Sequence, residues 1–421
     1  MEKLVIESCS SLSGEVTISG AKNSSLPILS AILLAEGTYN IDNIPSLRDI
    51  KTIFNILKIL GVSSDFKNGK AVIINNNTED YEASYELVKT MRASILVLGP
   101  TLAKKGKAKV SLPGGCAIGE RPVDLHIAAL EKMGANIEVK DGYIYAECDK
   151  LKGCEIVFDK VTVTGTENIM MAASLAEGTT ILKNAAAEPE VEDLANFLKK
   201  MGAKIEGAGS NTITVHGVEK LYSADYSIMS DRIEAGTFLC AVAGVGGKIT
   251  IKKCPVSSMD AIIEKLRLAG LTIDIIDNET IHAEMTNKIK AVDILTAPYP
   301  GFPTDMQAQF MAVMLKSDGV SVINESIFEN RFMHVPELKR MGADISLNDS
   351  NAIVKGVKSF SGAPVMASDL RASAGLVIAA LMGEHQSSVH RIYHLDRGYE
   401  GFEKKLNKLG AKITRMVDSE D

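Results

Sequence analysis

FLKKMGAKI, residues 197–205, and ELKRMGADI, residues 337–345, are one local pattern written twice. In each, apolar residues at helical spacing run into a Met-Gly doublet, and an alternating run with the period of a strand follows. Glycine just past a helix suits the left-handed C′ position, which other residues enter only at a cost. The doublet recurs at Leu60-Gly61, Met133-Gly134, Met201-Gly202, Ala269-Gly270, Met341-Gly342 and Leu409-Gly410, with glycines 73, 68, 68, 72 and 68 residues apart. Any one of these could be an ordinary helix end; six at near-constant spacing, with the same switch of period, define a repeat. A second glycine, read as ending a small-residue helix, precedes each doublet by 23 to 28 residues, at Gly37, Gly106, Gly178, Gly247, Gly319 and Gly383. A β-branched run such as TTILKNA (179–185) or KITIKKC (248–254) comes after it. The unit reads helix, Gly, strand, helix, Gly, strand and hairpin strand, and six such units divide naturally into two sets of three.

Composition sets the class. At 421 residues the chain exceeds what one core organises, so two domains of about 200 residues are expected. A hydrophobic share of 46% with 24% charged residues is that of a soluble globular protein. The net charge of −7 and the lack of tryptophan argue against a nucleic-acid partner or an anionic membrane surface. No window approaches the ~18 apolar residues of a membrane span, and the N-terminal MEKLVIESCS alternates like a strand rather than a signal peptide. Cys9, Cys116, Cys148, Cys154, Cys240 and Cys254 form neither a CxxC pair nor a zinc spacing, which indicates a reducing, cytoplasmic compartment. With no HExxH, no phosphate-binding Walker loop and no carboxylate cluster at magnesium spacing, neither a metal nor a cofactor is expected.

The chemistry concentrates in a few runs. PGGCAIGERPVDLH (113–126) has too many glycines and prolines for an element interior, and it places the Cys116 thiol five residues from the Arg121 guanidinium. Fixed positive charge favours a thiolate, so Cys116 is a candidate for acid/base or nucleophilic work; a small buried hydrophobe is the alternative. SGAKNSSLPIL (19–29) sets Lys22 and Asn23 just before a helix-like stretch, a site for an anion or simply a solvated lysine near a cap. MRASILVLGP (91–100) opens an apolar helix with Arg92, against the helix dipole, which reads as an arginine with an anionic partner or one that snorkels to the surface. In PYPGFPTDMQAQF (298–310), three prolines and a glycine fix the backbone before Asp305, whose default role at a helix start is an N-cap. INESIFENRFMHV (323–335) carries Ile327, Phe328 and Arg331, and its His334 has no second histidine at metal spacing. SDLRASAGL (368–376) and HLDRGYEGF (394–402) add Asp369, Arg371 and Arg397. These arginines, with Lys22 and Arg121, form a cationic set in an acidic protein, as a phosphate plus a carboxylate would require.

The Cys116 loop resembles the catalytic loop of the UDP-N-acetylglucosamine enolpyruvyl transferases, and the AKN, TDMQAQF and DRGYEGF segments extend the resemblance over essentially the whole chain. It implies an α/β fold of two similar domains, each of three βαβαββ units with helices inside and sheets outside, an inside-out α/β barrel. The implied domains are residues 1–20 with 230–421, and residues 21–229, the chain crossing near 19–21 and 228–230 and leaving a hinged cleft. The implied reaction moves the enolpyruvyl group of phosphoenolpyruvate to the 3-hydroxyl of UDP-N-acetylglucosamine, the first committed step of peptidoglycan synthesis. By resemblance, Lys22, Arg121 and Arg397 hold phosphoenolpyruvate. By the same resemblance, Asn23 binds substrate beside Lys22 in the AKN motif. Arg121 also lines the uridine and ribose site with Pro122, Val123, Asp124 and Leu125, and Arg92, Lys160, Val161, Thr162 and Val163 belong to the stretches around the nucleotide sugar. Ile327, Phe328, Arg331 and Arg371 face the same cleft. Cys116 is implied as general acid, able also to carry a covalent phosphoenolpyruvate adduct, with Asp305 as base, Asp369 as proton shuttle and the glycine-rich loop as lid. Thr164-Gly165 stands where some relatives have Gly-Ala, and Cys116 where some have Asp; the thiol implies inactivation by the epoxide fosfomycin. The sister transferase acting on shikimate 3-phosphate and a catalytically silent UDP-sugar sensor are the alternatives.

Overall fold

The computed structural model describes residues 2–76, 78–83, 85, 91–112 and 123–417, apart from the side chain of Arg92. Among them are six four-stranded sheets, one for each glycine-spaced repeat. Five share one order. Ile294–Leu295 lies parallel to Val320–Asn324, which runs antiparallel to Asn351–Lys355, the second arm of a hairpin whose first arm, Asp344–Asn348, forms the edge. In the sixth sheet the N-terminal strand Glu2–Ile6 takes the place of the second arm, antiparallel to both Ser387–His390 and Ile413–Val417. The next strand, Leu12–Thr17, runs parallel to Gly247–Lys252 in the sheet of the fourth repeat.

The described residues divide into two compact units, one of those between Gly20 and Met229, the other of those up to Ser19 together with those from Ser230 onward. Each has its own hydrophobic core. In the unit that starts at Gly20, the helices Lys22–Ala31 and Val163–Ala173 are buried along nearly their whole length. In the other, Arg232–Val245, Gln307–Met314 and Leu370–Met382 are buried likewise. Apart from Gln307, Gln309 and Arg371 at their starts, segments such as QAQFMAVM and LRASAGLVIAALM are apolar or small on every side, so they have no solvent face to offer and end up inside. Small residues let them meet: a Cβ on Gly375 would stand 2.8 Å from the Ala308 carbonyl oxygen of the neighbouring helix. The second helix of each repeat is amphipathic instead. Arg48–Ile59 buries Ile50, Ile53, Phe54, Ile56 and Leu57 and leaves its lysines to solvent.

The six doublet glycines all have φ between 85° and 107°, in the left-handed region that the helix-end reading requires. The earlier set is less uniform. Gly106 is a left-handed cap, but Gly383 ends its helix at φ −68°, where alanine would meet only ordinary contacts, so the left-handed argument fails there. Gly37 and Gly247 open strands rather than end helices.

Buried carboxylates fasten the chain where each unit begins. Asp193 accepts from the Ser24 hydroxyl, from the Tyr226 hydroxyl at 2.6 Å and from the Met229 amide at 3.2 Å. In the other unit Glu234, 2% exposed, accepts from the Ser19 amide at 2.7 Å and pairs with Lys405 at 2.6 Å. Burial raises the pKa of both acids, opposed at Asp193 by its hydrogen-bond donors and at Glu234 by Lys405. No helix among the described residues is long and apolar enough to cross a membrane.

Candidate active site

Asp305 lies in the 3-10 turn Thr304–Met306, which leads into the helix Gln307–Met314. The N-cap role expected by default is not what its side chain does. Oδ1 accepts from Arg331 Nη2 at 3.0 Å, and Oδ2 accepts from Arg371 Nε at 3.0 Å and Nη2 at 2.8 Å. A carboxylate has about four acceptor positions, so the clamp occupies three of them. Arg331 and Arg371 are 4% and 2% exposed. Burial works against the Arg371 charge, but Asp305, Tyr399 and Asp231 together hold its pKa above the ordinary value.

Arg371 is the second residue of the helix Leu370–Met382, and Asp369 caps that helix by accepting from the Arg371 and Ala372 amides at 2.9 and 3.0 Å. The Arg371 guanidinium stands 5.3 Å from the Tyr399 ring centre, in cation–π range. The Tyr399 hydroxyl accepts from Gln309 Nε2 at 2.9 Å, and the same amide donates to the Asp305 carbonyl oxygen at 2.8 Å. Asp305 is thus held through both its side chain and its backbone. Ile327 and Phe328 are placed by Glu325, whose Oε1 accepts from their amides at 2.9 and 3.2 Å while Thr296 and Thr304 bind its two oxygens at 2.9 and 2.8 Å. Arg331 lies 5.4 Å from the Phe328 ring. Burial pushes His334 down to about 4, with Asp369 opposing. Arg397 ends the turn Leu395–Arg397; its neighbour Asp396 is gripped by Arg415 at 2.7 and 3.1 Å.

In the other unit, Lys22 and Asn23 are the first two residues of their helix rather than residues ahead of it. Lys22 Nζ is 3.3 Å from Asp49 Oδ2, and Asp49 is 3% exposed. Arg92 begins a 3-10 segment, Arg92–Val97, and the α-helix expected there starts only at Leu98. Val123 precedes the helix Asp124–Lys132, with Asp124 exposed and Leu125 half-buried. Lys160 and Val161 are exposed, Val163 opens the helix Val163–Ala173, and Thr162 caps it by accepting from the Gly165 amide at 3.1 Å. A Cβ on Gly165 would run into the Thr162 side chain, so the Thr-Gly departure is matched to this cap. Cys116, Arg121 and Pro122 lie outside the described residues. Among the described residues no group of three His, Cys, Asp or Glu side chains is arranged to hold a metal ion.

The structure therefore joins Asp305, Arg331, Arg371 and, through the same helix start, Asp369. Sequence reading missed Glu325 and Tyr399. Both lie inside quoted motifs, but an acid within a turn and a tyrosine beside glycine give no sign of what they will bind.

A chain of six sheets over buried helices, with an anion clamped between two buried arginines, defines a class that comparison with known proteins makes specific. Residues 6–406 match the family model described as EPSP synthase (3-phosphoshikimate 1-carboxyvinyltransferase). The fold resembles the enolpyruvyl transferase NikO from Streptomyces tendae, with a TM-score of 0.89 at 24% identity over 98% of both chains. It also resembles EPSP synthase from Acinetobacter baumannii, with a TM-score of 0.78 at 19% identity over 100% of both. The chain belongs to the enolpyruvyl transferase family. Within that family it is 56% identical over 417 residues to the UDP-N-acetylglucosamine 1-carboxyvinyltransferase of Thermodesulfovibrio yellowstonii, covering 99% of this chain and 100% of the relative. It is 55% identical over 418 residues to the Geotalea uraniireducens protein of the same name, with the same coverage.

Proposed function

We propose that this protein transfers the enolpyruvyl group of phosphoenolpyruvate to the 3-hydroxyl of UDP-N-acetylglucosamine, releasing phosphate at the entry to peptidoglycan synthesis in the cytoplasm. The observation that carries this is full-length identity of 55–56% to transferases of that name. The domains on this reading are residues 1–20 with 230–421, and residues 21–229.

The reaction is an addition followed by an elimination. A proton added to the methylene carbon of phosphoenolpyruvate makes the neighbouring carbon electrophilic, and the sugar hydroxyl attacks it as its own proton leaves. Loss of a proton from the new methyl group and of phosphate restores the double bond. Cys116 supplies the first proton; a thiol with an ordinary pKa near ~8.5 still holds it at neutral pH. The same sulfur can instead take the electrophilic carbon and hold a covalent adduct.

Asp305 accepts the hydroxyl proton. Its clamp supports this role, because a carboxylate held by two buried arginines cannot rotate away from the geometry the reaction needs. Asp369 shuttles protons between addition and elimination. Lys22, Arg121 and Arg397 hold the phosphate and carboxylate, and fixed cations cost no reorganisation as charge shifts between them. Asn23, Arg92, Pro122–Leu125, Lys160–Val163, Ile327, Phe328, Arg331 and Arg371 orient the nucleotide sugar and frame the reacting groups.

The test is phosphate release from phosphoenolpyruvate, comparing wild type with Cys116→Ala. Release that needs UDP-N-acetylglucosamine and collapses in the variant is expected. Release with shikimate 3-phosphate instead would transfer the assignment to the sister reaction. Binding of the nucleotide sugar without release would make the protein a sensor.

A further inference from the structure

Three of the sequence motifs, MRASILVLGP, RPVDLH and FDKVTVTGTEN, meet in one buried hydrogen-bonded knot. Asn168, 0% exposed, is its centre. Its Nδ2 donates to the Ile95 carbonyl oxygen at 3.1 Å and lies 2.9 Å from His126 Nδ1, while its Oδ1 accepts from the Gly99 amide at 2.8 Å. Chemistry fixes the amide's orientation. Turned over, it would aim a donor at the Gly99 N–H and an acceptor at the Ile95 oxygen, leaving two buried groups unsatisfied.

That orientation fixes the histidine too. Facing a donor, His126 Nδ1 must be the bare nitrogen, so the ring hydrogen sits on Nε2, where Thr164 Oγ1 stands at 3.4 Å. One neutral tautomer satisfies the set, and burial, with Asp124 opposing, pushes the His126 pKa down to about 4. Gly99 completes the fit: a Cβ there would overlap both Asn168 Oδ1 and the Asn168 carbonyl oxygen, so the approach requires glycine.

We infer that Asn168 is a positioning residue for the nucleotide sugar, holding the Arg92–Val97 segment, the Asp124–Lys132 helix and the Lys160–Val163 stretch in register through one side-chain amide and a neutral His126. This rests on the function proposed above, in which all three segments serve the UDP-sugar. Each contact lies close along the chain to a proposed binding residue: Ile95 is three residues from Arg92, His126 two from Asp124 and Asn168 five from Val163. Removing the amide lets three segments drift independently, and a drift of about 1 Å can cost on the order of 100-fold.

The experiment measures UDP-N-acetylglucosamine affinity by calorimetry and steady-state constants for both substrates, in wild type, Asn168→Ala and Asn168→Asp. Asn168→Asp is nearly isosteric and serves where the alanine variant fails to fold. It keeps an acceptor for Gly99 but has no hydrogen to give His126 Nδ1 or Ile95. Both variants are expected to weaken nucleotide-sugar binding by roughly 10- to 100-fold, leaving the KM for phosphoenolpyruvate within a few-fold. Nitrogen NMR of His126 should show the Nε2–H tautomer in wild type and hydrogen on Nδ1 in Asn168→Asp. A folded variant that binds the nucleotide sugar as tightly as wild type overturns the inference, as does an Nδ1–H tautomer in wild type. So does a parallel loss of affinity for both substrates that tracks lost thermal stability. A wild type that turns over no UDP-N-acetylglucosamine counts against the proposed function instead, and the NMR result still judges the knot.

Discussion

Replacing Asp305 by alanine should damage stability as well as activity, because the carboxylate is the anion between two buried guanidinium groups. Arg331 and Arg371 donate three hydrogen bonds to it, and their side chains are only 4% and 3% exposed. Without it, two cations remain in a place with little access to water. Breaking a buried ion pair from one side typically costs about 3–5 kcal/mol, most of it the penalty for the charge left behind. Asp305 is itself 25% exposed, so some water will enter and the lower part of that range is the fairer expectation. For a unit of about 200 residues, each kcal/mol moves the melting temperature by roughly 2–4 °C, so about 3 kcal/mol gives a fall of roughly 6–12 °C. Calorimetry is the right assay, because two units with separate cores need not melt together. If Asp305 is the base proposed above, its loss should also lower kcat by about 10²–10⁴-fold. Adding Arg331→Met should cost little more, or restore some stability, because it removes one orphaned charge. A melting temperature within about 2 °C of wild type would refute the clamp as a stabilising ion pair, since that corresponds to at most about 1 kcal/mol.

Two further outcomes follow. Fosfomycin should inactivate the enzyme with one covalent addition at Cys116 by mass spectrometry; full activity in a large molar excess, with the thiol unmodified, would contradict the role given to it. Glu167 is 1% exposed, and burial first, then Glu190 and Glu188, raise its pKa well above the ordinary value. A carboxyl with a raised folded pKa binds its proton more tightly in the native state, so its contribution is fullest below the unfolded pKa and is lost as pH rises toward the folded one. Glu167→Gln should therefore raise the melting temperature more at pH 8 than at pH 5, and an equal shift at both would show that the group does not stay protonated.

The repeats were legible because they are local. A helix that ends in glycine before a strand leaves its mark within about ten residues, and the φ of all six doublet glycines follows from that mark. The small-residue helices that precede the earlier glycines, such as Leu370–Met382, were legible in the same way. The motifs carrying Lys22, Asp305 and Arg371 could likewise be picked out along the chain.

What each side chain contacts was decided by tertiary structure. Asp305 looked like an N-cap from its neighbours, yet its partners lie 26 and 66 residues away, Arg371 in the next repeat. The N-terminal strand reads only as a strand; that it fills the middle of the sixth sheet depends on a partner about 380 residues downstream, Val389 opposite Leu4. Asn168 reads as one more polar residue near a helix start, and becomes a hub only when Ile95, Gly99 and His126 arrive around it. Periodicity reports which face of an element is buried, but not what meets that face. Ion pairs and side-chain hydrogen bonds between repeats form only once the packed helices bring distant residues to within about 3 Å.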